Sequence, residues 1–230
     1  GIFEDLAWLG LHFPKPVRRQ SEHMADYGAG LARLAGRGLL YPCFCSRTAI
    51  ASAARQAAGE AGPSRDPDGA VLYPGTCRHL AADEAATRIA AGEPHALRLR
   101  MDAALAAAGG PLAYEAFEPD GSRRRVAIHP ARWGDVVLAR KEVATSYHLA
   151  VVTDDALQGV THVVRGRDLE AATDIHRLLQ HLFGLPVPLY HHHRLLLDDD
   201  GAKLSKSVGS TALRDLRAAG VTAGDVRRAL

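Results

Sequence analysis

No stretch of this chain approaches the roughly 20 consecutive apolar residues that a bilayer-spanning helix requires, which argues against a helical membrane protein. The opening Gly1-Ile2-Phe3-Glu4-Asp5 also lacks the basic segment of a secretory signal, so the expected compartment is the cytoplasm. Cysteine is scarce: Cys43, Cys45 and Cys77 are all there is, and an internal disulfide framework cannot consume an odd count. Reduced thiols or metal ligands fit better. There is no internal repeat and no low-complexity tract beyond a richness in alanine. Nor is the charge lopsided: 28 Lys+Arg against 26 Asp+Glu leave a formal +2, which permits contact with nucleic acid without predicting it, because phosphate binding needs clustered cations. What remains is an ordinary globular composition, 47% hydrophobic and 23% charged over 230 residues, enough for one large domain or two modest ones.

Apolar spacing predicts helices over 2–9 (Phe3, Leu6 and Leu9 on one side) and from Ser21, a plausible N-cap, through Met24, Tyr27, Leu31 and Leu34 to Gly36 and Gly38. An alanine-rich helix over about 48–58 and a loop over 62–69 follow. Residues 73–128 mix a helix (81–91), a strand (95–101) and a hairpin (112–117 with 123–128, around Asp120-Gly121), the character of an inserted α+β module. Beyond Val136 the runs 147–152 and 160–164 are short, continuous and valine-rich, as expected of strands buried on both faces of a parallel sheet. A helix over 169–183, ended by Gly184 and Pro186, and the run Leu195 to Leu197 complete an expected βαβ unit. Ligands of such sheets sit beyond the strands' C-terminal ends, where Arg165 and the segment 203–207 would lie.

That segment, Lys203-Leu204-Ser205-Lys206-Ser207 after the turn Asp198-Asp199-Asp200-Gly201, can grip a triphosphate, with lysines as point charges and serines as hydrogen-bond donors. By residue type alone it is equally a solvated basic loop. Arg165 follows a buried strand and can take a carboxylate or phosphate bidentately, with Tyr147 presenting its hydroxyl to the same cleft. The plainer readings are an Arg165 pair with Asp154 or Asp168 and a Tyr147 that simply packs. Cys43-x-Cys45 and Tyr73-Pro-Gly-Thr-Cys77-Arg-His79 form a candidate zinc site of structural type, since four protein ligands leave no open position. Ligand chemistry alone favours His79 as the fourth ligand over Tyr73. His191-His192-His193 cannot converge on one ion from a strand, so at most His192 faces the cleft. Asp154-Asp155 and Asp198-Asp199-Asp200 could bind magnesium, yet as turn residues they more often bond their own backbone.

Taken together, Ser146-Tyr147-His148-Leu149-Ala150-Val151-Val152-Thr153-Asp154-Asp155, Gly159-Val160-Thr161-His162-Val163-Val164-Arg165-Gly166 and the 203–207 segment resemble the catalytic domain of class I glutamyl-tRNA synthetases. The resemblance implies a Rossmann-like parallel sheet carrying a zinc-containing α+β insertion. It divides the chain into a remainder of the first Rossmann half (1–42), the insertion (43–134), the second half ending in the lysine loop (135–207) and the start of a helical segment (208–230). It implies ATP, with Mg2+, bound by Lys203, Ser205, Lys206 and His192, with Lys206 on the phosphates during adenylate formation. It also implies L-glutamate held by Tyr147 and Arg165, and Tyr73 as the fourth zinc ligand, with a cysteine-and-histidine pattern through His79 also satisfied. Within the family the chain is most similar to the short branch that transfers glutamate to queuosine in tRNA(Asp), acting as a monomer. A fragment of an enzyme charging tRNA(Glu) and an inactive tRNA-binding module are the alternatives. The family's HIGH-type ATP motif and the acidic residue for the glutamate amino group precede the stretch matching Ile2 to Leu11, so the N-terminal part of the nucleotide-binding half is expected to be missing from these residues.

Overall fold

The computed structural model describes residues 1–197 and 211–229. Lys203, Ser205 and Lys206 therefore lie outside the described residues, as do Asp198, Asp199 and Asp200. In chain order the elements are α1 (Ile2–Trp8), α2 (Met24–Gly36), β1 (Leu40–Cys43), α3 (Arg47–Ala58), α4 (Ala82–Ala90), β2 (Ala96–Leu99), α5 (Met101–Ala108) and β3 (Ala113–Phe117). They continue with β4 (Arg123–Ala127), β5 (Val137–Ala139), α6 (Tyr147–Leu157), β6 (His162–Gly166), α7 (Thr173–Phe183), β7 (Leu189–His193), α8 (Leu213–Ala218) and α9 (Ala223–Ala229). The chain divides into two units, Gln20–His192 and a second made of Gly1–Arg19 with His193–Leu230. In the second unit Arg217 pairs with Asp5 at 3.2 Å, and Arg227 donates to the Leu9 carbonyl at 2.9 Å.

Within Gln20–His192 there are two sheets, in strand orders β1-β2-β5 and β4-β3-β7-β6. In the first, β1 and β2 run antiparallel with Leu40 opposite Leu99 and Cys43 opposite Ala96, and alternation along β1 turns Tyr41 and Cys43 inward. The second is mixed. Strands β3 and β4 form the expected antiparallel hairpin, with the Asp120 carboxylate accepting from the Ser122 N–H at the turn, while β3 lies parallel to β7 with Ala116 opposite Tyr190. The expected parallel sheet is thus part of a mixed one, because the hairpin of the 73–128 segment hydrogen-bonds directly to β7. Hydrophobic patterning reports which residues are buried, not which strand lies alongside.

Two element assignments change as well. Tyr147 to Val152 is the start of α6, not a strand: the Ser146 side chain caps it by accepting from the Leu149 N–H, and Leu149, Ala150 and Val152 are buried. Valines and threonine suggested a strand, but a capped run of 11 residues closing its own backbone bonds and packing against α2 and α7 overrides that weak propensity. The second strand of the βαβ unit is β7 rather than Leu195 to Leu197. Asp154 and Asp155 accordingly sit inside a helix rather than a turn, and the buried Asp154 carboxylate accepts from the Tyr27 hydroxyl at 2.9 and 3.0 Å and from Gln20 at 3.1 Å.

The main core gathers Tyr27, Leu31 and Leu34 of α2, Leu149 and Val152 of α6, and Ile175, Leu178, Leu179 and Leu182 of α7. At its edge Asp174, buried at 4% exposure, accepts from the His129 N–H, Arg132 Nε and Trp133 Nε1 at 3.0, 2.8 and 3.2 Å. A carboxylate with three donors tolerates burial, and here it pins the 130–133 turn to the first turn of α7.

Candidate active site and metal centre

Arg165, near the end of β6, is the centre of a polar cluster built from four elements. Its Nε donates to His192 Nε2 of β7 at 3.2 Å. Nη1 donates to His176 Nδ1 of α7 at 2.9 Å and to the Tyr147 hydroxyl of α6 at 3.4 Å, and Nη2 to Thr173 Oγ1 at 2.6 Å. The guanidinium also lies 5.2 Å from the Tyr190 ring centroid, and Tyr190 stacks on His192. Every one of these partners is neutral. Among the described residues no carboxylate lies within ion-pair distance of Arg165, so the plainer pairings with Asp154 or Asp168 are not made.

Burial, reinforced by the Arg165 charge, holds His148 and His192 down at about 4 and puts His176 well below the ordinary imidazole range. Neutral imidazoles can accept from the guanidinium and do not cancel or repeat its charge. The result is a partly desolvated cation with no carboxylate in direct contact, only the longer-range field of Asp155, and with Tyr147, 42% exposed, beside it, an arrangement suited to a ligand carboxylate.

A pH dependence follows. These imidazoles have folded-state values below the unfolded value of about 6.5, so the unfolded chain takes up protons first as the pH falls. Their contribution to stability is complete above about pH 6.5 and is lost as the pH drops toward about 4. We expect each of His148 and His192 to forfeit up to about 2 kcal/mol, or roughly 4–8 °C in Tm, between pH 7 and 5, measured by thermal denaturation. A melting temperature that stays flat or rises over that interval would contradict neutral burial.

The second cluster joins β1 to the turn after Tyr73. The Sγ atoms of Cys43, Cys45 and Cys77 lie within 4.8 Å of one another, Cys45 and Cys77 at 3.5 Å. Zinc–sulfur bonds of about 2.3 Å in a tetrahedron require edges of about 3.8 Å, so the three thiols fit the ion. The Tyr73 hydroxyl is 3.7 Å from Cys45 Sγ and accepts from the Cys77 N–H at 2.7 Å, while the Arg98 guanidinium lies 3.8 Å from its ring centroid. His79, the choice on ligand chemistry alone, is exposed and does not join the clustered atoms. Burial works against a Cys77 thiolate, but hydrogen bonding from Tyr73 and from the Phe44 backbone outweighs it and leaves that thiol below its ordinary value; burial pushes Cys45 up.

Tyr147, Arg165 and His192 are therefore together, as are Cys43, Cys45, Cys77 and Tyr73. Sequence reasoning missed Thr173, His176 and His148. The capping serine at 146 and the length of the run behind it were the signal that would have made α6 a helix and aimed Tyr147 and His148 from its first turn. Thr173 and His176, three apart on a helix, share a face.

A βαβ unit with an arginine at the end of its first strand and a cysteine-bearing α+β portion accord with a class I aminoacyl-tRNA synthetase catalytic domain, and the family comparison shows that class. Residues 1–226 match the family of class I tRNA synthetases (E and Q), catalytic domain, and the chain belongs to it. It is similar to a relative from Rhodobacter capsulatus named Glutamyl-Q tRNA(Asp) synthetase, 47% identical over 99% of this chain and 79% of the relative. One of the same name from Nocardia farcinica is 40% identical over 94% of this chain and 62% of its own length. A Glutamate--tRNA ligase 2 from Nitrosococcus oceani is 35% identical, with 95% of this chain covering 45% of it. The chain thus spans 62% to 79% of the length of these two glutamyl-Q relatives. The fold matches a glutamate tRNA ligase from Elizabethkingia meningosepticum with a TM-score of 0.68 at 22% identity, over 90% of this chain and 41% of that one.

Proposed function

We propose that the protein activates L-glutamate with ATP and transfers it to queuosine in tRNA(Asp). The observation that carries this reading is the 47% identity, over 99% of the chain, to a relative with that name. Arg165, whose hydrogen-bond partners are all uncharged, supplies a physical reason for a carboxylate substrate. In the first step a glutamate carboxylate oxygen bonds to the α-phosphorus of ATP as the bond to the bridging oxygen breaks and pyrophosphate leaves. In the second a hydroxyl of the queuosine cyclopentene diol attacks the activated carbonyl, and AMP leaves with the bonding electrons.

Tyr147 and Arg165 hold the glutamate, with Arg165 on its side-chain carboxylate; Lys206, with Lys203, Ser205 and His192, holds the ATP phosphates alongside Mg2+. This is catalysis by positioning and charge stabilisation. Cys43, Cys45, Cys77 and Tyr73 hold zinc as a structural ion. Residues 1–42 and 135–207 supply the nucleotide-binding half, 43–134 the insertion and 208–230 the start of a helical segment, in a cytoplasmic monomer.

The test uses the complete chain with labelled glutamate and ATP. Label is expected on tRNA(Asp) containing queuosine and not on tRNA(Asp) lacking it. Label on tRNA(Glu) instead would make the protein a charging enzyme, and tRNA binding without ATP–pyrophosphate exchange an inactive module. Lys206→Ala is expected to lower the exchange rate at least about a hundredfold, with circular dichroism and Tm unchanged.

A further inference from the structure

The reaction above leaves two imidazoles unused, His176 buried and His148 half-buried. His176 is 1% exposed and both its ring nitrogens are engaged: Nδ1 accepts from Arg165 at 2.9 Å, and Nε2 lies 3.2 Å from His148 Nδ1. Since an arginine only donates, His176 carries its proton on Nε2 and donates to His148. His148 meets the Trp133 ring edge-on, 5.7 Å between centroids, and Trp133 Nε1 donates to Asp174, two residues before His176 on α7. The contacts close a ring from α7 through Asp174, Trp133, His148 and His176 back to α7, which fixes where His176 Nδ1 points.

We infer that His176, steadied by His148, is a positioning residue that aims Arg165 at the substrate and thereby sets the preference for a side-chain carboxylate over a carboxamide. The inference rests on the reading in which Arg165 receives the glutamate side chain. The guanidinium has five N–H groups in a rigid fork. His192, His176 and Thr173 take one each from three directions, and Tyr147 lies against a fourth at the longer distance of 3.4 Å. The remaining Nη2 hydrogen and the weakly held one beside Tyr147 belong to the two Nη nitrogens, the pair that grips a carboxylate bidentately. A neutral acceptor at 176 holds the fork without spending its charge. An apolar residue there would free the fork to rotate, and an acidic one would neutralise it.

The experiment measures ATP–pyrophosphate exchange by the complete chain with glutamate and with glutamine. His176→Leu is expected to raise KM for glutamate about 10–30-fold with kcat within about threefold, and to cut glutamate-over-glutamine discrimination about tenfold. His176→Asn, whose Oδ1 can stand where Nδ1 stood, should return both to within about threefold of wild type. His176→Glu should abolish most of the discrimination by pairing with Arg165. Unchanged KM and discrimination in a folded His176→Leu, or an Asn variant as impaired as the Leu variant, would overturn the inference. Should the Leu variant fail to fold, the contrast between Asn and Glu decides it: equal discrimination in those two sinks the idea. A wild-type protein with no glutamate-dependent exchange would instead count against the proposed function.

Discussion

Arg165→Leu is expected to lower kcat/KM for glutamate about a thousandfold, corresponding to about 4 kcal/mol, while the chain stays folded. The magnitude follows from removing one partner of a desolvated charge pair: the substrate carboxylate would then be taken from water into a pocket with neutral His176, His192 and Thr173 and nothing to balance it. The fold survives because the partners of Arg165 are uncharged and leave no buried ion behind. Arg165→Lys keeps the charge but loses the fork that His192, His176 and Thr173 hold in three directions, so an intermediate loss of about 30-fold is expected. Exchange kinetics with glutamate, beside circular dichroism, measure both. Should the leucine variant saturate with glutamate as wild type does, Arg165 is merely packing.

Cys43→Ala should have the other large effect, on stability rather than on glutamate recognition. Cys43 is 1% exposed at the end of β1, so its thiol is committed to Cys45 and Cys77. Losing a thiolate from a structural zinc site forfeits most of a binding free energy of order 10 kcal/mol, which exceeds what the small Tyr41, Cys43, Phe44 and Cys77 core supplies by burial. We expect about one zinc per chain in the wild type by elemental analysis, almost none in the variant, and a Tm lowered in the variant and by chelator in the wild type alone. Tyr73→Phe should retain zinc more weakly. A wild-type protein free of zinc and indifferent to chelator would sink the metal reading. Equal unfolding of Cys43→Ala and Lys206→Ala would undo the division between structural and catalytic groups.

How much of this could be read without a structure differs by residue. The C-x-C pair with Cys77 is legible because metal ligation needs particular side chains at short spacings, and three thiols in a chain with no others leave few uses. Tyr73 against His79 was not legible from ligand chemistry, which ranks donors without knowing which one turns inward; the Cys77 N–H on the Tyr73 hydroxyl and the exposure of His79 depend on the backbone path of one turn. Likewise Arg165 and Tyr147 stand out in sequence, yet the latter was assigned to a strand, since valines at 151 and 152 favour β structure locally and the long-range packing of α6 against α2 and α7 is invisible there.

The resemblance carried by the quoted segments, with the cysteine spacing and the hairpin around Asp120-Gly121, was therefore enough for the class I synthetase fold and the kind of chemistry, because a family resemblance rests on residue identity in short local segments. The mixed order β4-β3-β7-β6, the neutral ring of Tyr147, Thr173, His176 and His192 about Arg165, and the His148–His176 contact emerged from folding alone. The ring and the contact join residues 8 to 28 positions apart whose burial, and with it the loss of charge on three histidines, exists only once the helices have packed.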